Sequence, residues 1–227
     1  MDVAERARDF VGVRGPDAAD YLQRMVSNDV EALAVGDACP ALLLTAKGRV
    51  IAPLVVWRRG HDDFLVLTEP GLGARVRDEL VRLRFRARCE IEAEDHASQL
   101  VLSDKGAGDE GFATDWPGAR EILDAELPPT LGADELELRR IEAGVPRWGR
   151  EIDDKILPAE AGLDATHISF SKGCYPGQEP IARLHYRGHA NRELRVVELD
   201  DDAEVERVTS EATRPDGSRV ALAYVRR

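Results

Sequence analysis

Apolar residues recur along this chain in two periods, and the changes between them divide it into elements. Ala18, Tyr21, Leu22, Met25 and Val26 share one face of a 3.6-residue repeat, predicting a helix from Gly15-Pro16-Asp17 to about Ser27. Pro16 in the first turn and Asp17 close behind it suit a helix start. Residues 41–46 and 49–57 read as strands joined at Lys47-Gly48. Pro53 has no amide hydrogen for a ladder, so the second strand is expected to bulge or lie at an edge there. Phe64 to Thr68 is a further strand. Pro70-Gly71 leads into a helix to about Arg84, with Leu72, Val76, Leu80 and Leu83 as its stripe.

Strands are expected at 87–93, 98–102 and 119–123, with a Gly- and Asp-rich loop from Ser103 to Gly118. Asp134 is the expected cap of a helix through about Ala143, with Glu137 in capping-box position and Gly144 as its stop. Residues 145–170 read as irregular, and 180–187 as the start of a helix or a strand. Short strands follow at 196–199, 205–210 and 221–225. Helices interspersed among strands, ahead of a β-rich tail, give an α+β class.

Composition adds limits. The 227 residues suffice for one large domain or two small ones, and 43% apolar content makes a sizeable core feasible. A net charge of −12 argues against nonspecific nucleic-acid or anionic-membrane binding, though it leaves room for a local basic pocket. Three cysteines without CxxC or CxxH spacing, and an N-terminus without an apolar stretch, fit a cytoplasmic protein rather than a disulfide framework. Val50 to Trp57, the longest apolar run, is too short to span a bilayer. Cys89, in an alternating strand, and Cys39, before Pro40, read as packing residues.

The densest chemistry lies in Lys172-Gly173-Cys174-Tyr175-Pro176-Gly177-Gln178-Glu179. The glycines permit backbone shapes closed to other residues, and Pro176 fixes one dihedral. Such a turn can hold Cys174 at a surface, and Lys172 can lower the pKa of a neighbouring thiol. The bland alternative is a Gly/Pro turn carrying a passenger cysteine. His185 and His189, four apart, would form a metal site with Cys174 only if they shared a helix face; solvated histidines are the simpler reading, and no metal is assigned.

Several strings, in order along nearly the whole chain, resemble the GcvT-like, folate-dependent superfamily. They are Gly15 to Gln23 with Val26-Ser27-Asn28-Asp29-Val30, then Thr45 to Val50, Arg140-Ile-Glu-Ala-Gly-Val-Pro146 and Val208-Thr209-Ser210. Lys172 to Glu179 resembles the signature of its YgfZ-like branch. The resemblance implies a three-lobed fold around a central hole that binds tetrahydrofolate or a one-carbon derivative. Residues 1–180 would form two interleaved α+β lobes, and 181–227 a small β-barrel-like lobe, short of the strands a closed barrel needs. Relatives are expected to be longer there and near 103–130.

By position in the family motif, Glu142 would hold the pterin edge, and an ionised carboxylate suits its adjacent N–H donors. Asn28 and Asp29 would belong to the pocket wall. Arg140 and Arg183 would pair with the folate tail or an acidic partner. Lys172, Gly173, Tyr175, Gly177, Gln178 and Glu179 would form the motif around Cys174, the reactive residue. The implied role is assistance to iron–sulfur proteins or their assembly factors, with a transient cluster shared through Cys174, because one thiolate cannot hold a cluster alone. Mixed-disulfide chemistry and attack on an electrophile remain open for that thiol. The alternative is aminomethyl or one-carbon transfer. Relatives with that activity carry an aspartate where this chain has Ala52-Pro53, and neither residue can move a proton. Asp29 is a replacement to consider.

Overall fold

The computed structural model describes residues 1–102, 111–199 and 205–227. Its centre is a five-stranded antiparallel sheet in the order β3-β4-β5-β2-β6. The strands are β2 (Asp9–Arg14), β3 (Ala38–Leu44), β4 (Val50–Gly60), β5 (Asp63–Thr68) and β6 (Glu90–Glu94). Both faces are covered, so the strands read as continuous apolar runs instead of alternating ones. Phe64 and Val66 of β5 point to one side, with Tyr21 and Leu22 of helix α1 (Ala18–Met25) and Val76 and Leu80 of α2 (Gly73–Leu83). Leu65 and Leu67 point to the other side, against Phe10, Val55 and Phe112.

Pro53 sits where both expectations meet. The β3–β4 register shifts between Leu43 and Leu44, and pairing with β5 begins only at Leu54. Its missing amide therefore leaves no ladder bond unmade, while its carbonyl accepts from Thr68 Oγ1 at 2.8 Å.

A second sheet of β1 (Asp2–Glu5), β7 (Ser98–Leu102), β9 (Ala119–Leu123) and β8 (Phe112–Ala113) has the order β1-β7-β9-β8. β8 lies within the stretch expected to be loop. Its Phe112 stacks on Trp57 of the central sheet, with ring centroids 4.5 Å apart, so a tertiary contact makes a strand where local sequence suggests none. The first part of that expected loop, 103–110, lies outside the described residues. β6 begins three residues later than expected.

Helix α3 (Ala133–Glu142) corrects the capping expectation. Its cap position is Gly132, without a side-chain bond, and Glu137 pairs with Arg140 and Arg147 instead. Gly144, at φ 69°, does stop it. The expected irregular stretch holds a short 3₁₀ turn at Pro158–Ala161 and the one-turn helix α4 (Asp164–His167). Residues 180–187 resolve as helix, within α5 (Gln178–Arg187). The tail strands β10 (Arg192–Glu198), β11 (Arg207–Thr213) and β12 (Arg219–Arg226) form an open sheet, β10-β12-β11, rather than a barrel. No helix among the described residues is long and apolar enough to cross a membrane.

The first two sheets are joined by buried charge. Arg8 meets Glu121 at 3.1 Å and Asp115 at 2.7 Å, and Arg6 meets Asp115 at 2.8 Å. Burial alone would raise the Asp115 carboxyl, yet the two guanidinium groups hold it far below its ordinary value. Burial pushes nearby His167 down to about 4. Removing one member of such a cluster strands the others. Arg8→Met is expected to destabilise the fold by about 3–5 kcal/mol in denaturant titration, and a loss below about 1 kcal/mol would contradict this account. The pH sign follows from both groups. His167 is protonated near 6.5 in the unfolded chain but only near 4 when folded, so stability is full above 6.5 and falls toward 4. Asp115 adds a further loss below the ordinary carboxylate range.

Candidate functional site

The motif turn is fixed at three points. The Lys172 side chain is buried, and its Nζ donates to the carbonyls of Gln23, Val26 (2.6 Å) and Asn28 (2.9 Å). These carbonyls close the C-terminal end of α1, where a cation also meets the negative end of the helix dipole. Burial lowers the Lys172 pKa to about 8. Tyr175 is the second point, buried among Leu42, Leu44, Val50 and Tyr224. The third is Gly177, at φ 82°. A Cβ there would lie 2.4 Å from the Thr45 carbonyl oxygen, so only glycine lets the turn seat against the β3–β4 turn. Gly48 meets it from the other side, where a Cβ would lie 3.0 Å from Pro180 Cγ. The strings Thr45–Val50 and Lys172–Glu179 are therefore packed backbone to backbone.

Between these points Cys174 is exposed, as is Gly173. Gly173 has neither a positive φ nor a neighbour within 4 Å, so only Gly177 meets the conformational demand expected of both glycines. Lys172 is directed away from the role expected of it. Its ammonium acts electrostatically on Cys39, a half-buried thiol that burial pushes up to about 12. Cys89 is buried in the central core. Gln178 and the exposed Glu179 open α5, and a carboxylate suits its first turn.

The supposed metal triad lacks its geometry. α5 ends at Arg187 and Gly188 is extended, so His185 and His189 do not share a helix face, and His185 stacks on Phe170 at 3.8 Å. Among the described residues no three His, Cys, Asp or Glu side chains are grouped so as to hold a metal ion.

Asn28 and Asp29 serve the loop after α1. Asn28 Nδ2 donates to the carbonyls of Pro40 (2.7 Å) and Thr166 (3.1 Å), and Asp29 accepts from Gln23 at 3.0 Å. Ser27, fully buried, ties the same loop to β3 and to His167. These bonds lock the α1–β3 connection and leave neither residue lining the large central cavity.

That cavity measures about 1070 Å³ and opens between the first two sheets and α3. Glu69, Trp116, Glu137, Arg140, Arg147 and Trp148 line it. Arg140 is buried and committed: it pairs with Glu137 at 2.9 Å and Glu151 at 3.1 Å, and donates to the Val145 carbonyl. Glu142 is exposed on α3 and takes Arg214 of the tail at 2.6 Å, outside the cavity lining. The structure thus brings Arg140 to the cavity and sets Glu142, Asn28 and Asp29 elsewhere. Arg183 is exposed on α5. Glu69 follows β5 directly, and burial raises its carboxyl.

Glu69, Trp116, Arg147 and Trp148 were not singled out from sequence. Isolated charges and tryptophans carry no local signal; only Arg147 and Trp148, the two residues after the Arg140–Pro146 string, lay within reach of a motif argument.

Comparison with known proteins agrees with this architecture. Residues 6–103 match the model of the GCVT N-terminal domain. A protein of Pectobacterium carotovorum named tRNA-modifying protein YgfZ is 30% identical over 85% of this chain and 71% of its own length. A Neurospora crassa protein named mitochondrial iron-sulfur cluster assembly factor IBA57 homolog is 24% identical over 83% of this chain, which spans 51% of it. The crystal structure of the glycine cleavage system aminomethyltransferase T from Bartonella henselae superposes with a TM-score of 0.78 at 18% identity, covering 99% of this chain and 78% of that one.

The anchoring account separates the two glycines of the turn. Gly177→Ala is expected to lose more than about 2 kcal/mol, and Gly173→Ala less than about 0.5 kcal/mol. Lys172→Met, which leaves three carbonyls without their donor, is expected to lose about 2–3 kcal/mol. Chemical denaturation of the three variants checks this, and equal losses at the two glycines would refute it.

Proposed function

Because this chain belongs to the YgfZ-like branch of the GcvT superfamily, we propose that it binds tetrahydrofolate and assists the assembly or repair of iron–sulfur proteins through Cys174. The observation that carries the reading is the turn itself. A thiol is held in solvent on a loop whose neighbours are anchored by a buried ammonium, a buried tyrosine and a glycine with no room for a side chain. Such a fixed, accessible sulfur suits brief coordination of iron beside the thiolates of a partner. The names of the relatives, one for iron–sulfur cluster assembly and one for tRNA modification, support a role in that area.

For the folate, the central cavity is the site we assign. Its volume lies just above the usual range of small-molecule pockets, about 300–1,000 Å³. The half-buried Trp148 offers apolar surface for a planar ring, with Trp116 behind it in the wall, and Arg147 and Arg150 offer charge for carboxylates. Arg140 would act from the wall by holding Glu137. Glu142 would join only by giving up Arg214. The folate would bring a carrier for one-carbon units; the chain's part is to bind and orient it.

Glu69 favours a second reading, folate-dependent one-carbon transfer. It is a cavity carboxylate with a raised pKa, beside the position where Ala52-Pro53 replaces the expected aspartate. Transfer of a one-carbon unit to tetrahydrofolate, lost in Glu69→Gln, would establish that reading over the first.

Two measurements test the leading proposal. In anaerobic calorimetry the wild type is expected to bind tetrahydrofolate, Trp148→Ala about tenfold more weakly, and Glu142→Ala within about threefold of wild type. A Glu142→Ala loss as large as that of Trp148→Ala would move the pterin toward Arg214, and no binding by wild type would remove the folate. In cells lacking the native copy, Cys174→Ala is expected to fail to restore iron–sulfur enzyme activity while melting and binding folate as wild type does. Full restoration would remove the thiol from the mechanism.

A further inference from the structure

An open groove of about 800 Å³ lies between α1, the end of α2 and the motif turn, with Pro176 in its wall. At its mouth stands Phe85, 86% exposed and at φ 46°. Arg84 is the C-cap of α2, and its amide bonds to the Val81 carbonyl. Phe85 therefore holds the place just past a helix where the chain turns left-handed, which glycine or asparagine normally fills. A phenylalanine there has its Cβ against the backbone and its ring in water. Among the described residues no apolar core cluster includes that ring, so packing offsets neither cost. An outlier of this kind, kept without a structural return, points to a use at the surface.

The surroundings specify the use. Met25 and Leu83 supply apolar wall, and Arg84 and Arg86 supply charge, while Arg24 is already paired with Asp20. Asp17, the acid in the lining, is held by Arg88 through both carboxylate oxygens. Among the described residues Arg86 makes no hydrogen bond or ion pair. A chain with a net charge of −12 thus presents an apolar groove edged with positive charge. Pro176 sets the groove two residues from Cys174.

We propose that this groove docks an acidic segment of the iron–sulfur protein that Cys174 serves, an assignment that rests on the role given to Cys174 above. An apolar side chain of the partner packs on Phe85 and Leu83, and its carboxylates meet Arg84 and Arg86. Nucleic acid fits less well. A polyanion needs a broad cationic footprint. Here Arg77, Arg82 and Arg88 are already paired with Asp78, Glu79 and Asp17, and the wall between the free charges is apolar.

A random short-peptide library selected on the full chain tests this, with the best peptide remade, labelled and titrated by fluorescence anisotropy. The selected peptides are expected to carry Asp or Glu around Leu or Phe. Binding is expected to weaken about tenfold in Phe85→Gly and in Arg86→Glu, to weaken with salt, and to be unchanged in Cys174→Ala. Phe85→Gly relieves the left-handed strain and is expected to melt at or above the wild-type temperature, so its binding loss is not unfolding. Peptides without acidic bias, equal binding by the groove variants, or tighter binding of a short single-stranded RNA that displaces the peptide would each overturn the proposal. The two readings separate cleanly. If peptide binding ignores Phe85 while Cys174→Ala cells lose iron–sulfur enzyme activity, only the groove falls. If Cys174→Ala cells are unimpaired, the partner assigned here falls even where the peptide binds.

Discussion

One ammonium group decides where the motif turn sits. Lys172 Nζ enters the end of α1 and takes carbonyls that would otherwise face the interior without a donor. A buried charge without partners would be strongly destabilising, and buried carbonyls without donors nearly as much, so each defect is removed by the other. Everything downstream inherits that position. Tyr175 fills the core beside β3, Gly177 rests on the β3–β4 turn, and α5 starts at the next residue. Cys174 is exposed because the residues around it are not free to move.

The central sheet imposes the complementary constraint. With both faces covered, its charged neighbours must leave the layer or find partners within it. Arg6 and Arg8, at the passage from β1 to β2, find Asp115 in the β8–β9 connection and Glu121 on β9 of the second sheet. The same crossing leaves space toward α3, where Arg140 is held by Glu137 and Glu151. The cavity is thus bounded by Arg140, already held by two carboxylates, by the half-buried Trp148, and by Arg147 and Arg150 at its rim.

Much of this was legible in the sequence because it is local. Stripes at 3.6-residue spacing placed α1 and α2, apolar runs placed β3, β4 and β5, and Gly144 marked the end of α3. What failed depended on distance. β8 exists through Phe112 on Trp57, the cap of α3 is a bare Gly132, and Lys172 answers to carbonyls nearly 150 residues earlier. Glu142 and Arg140 illustrate the limit for sites. They are two residues apart on one helix, yet one lines the cavity wall and the other faces Arg214 of the tail. Neighbourhood in a motif does not fix which way a side chain leaves its helix.

The cavity and the cysteine are also mechanically related. The motif turn rests on the β3–β4 turn, and β4 runs from there to the Pro53 carbonyl, bonded to Thr68 beside Glu69 at the cavity. Beyond the β3–β4 turn, where Gly48 is packed against Pro180 and Gly177, that path is extended backbone with ladder bonds and a buried core. It offers no loop or glycine hinge with two arrangements, which transmission of a movement would require. A ligand in the cavity would therefore act on Cys174 by stabilising the folded lobes that position it, by an amount that grows with the logarithm of ligand concentration over the dissociation constant. Folate and thiol would then be linked through the population of a competent fold rather than through a displacement of the turn.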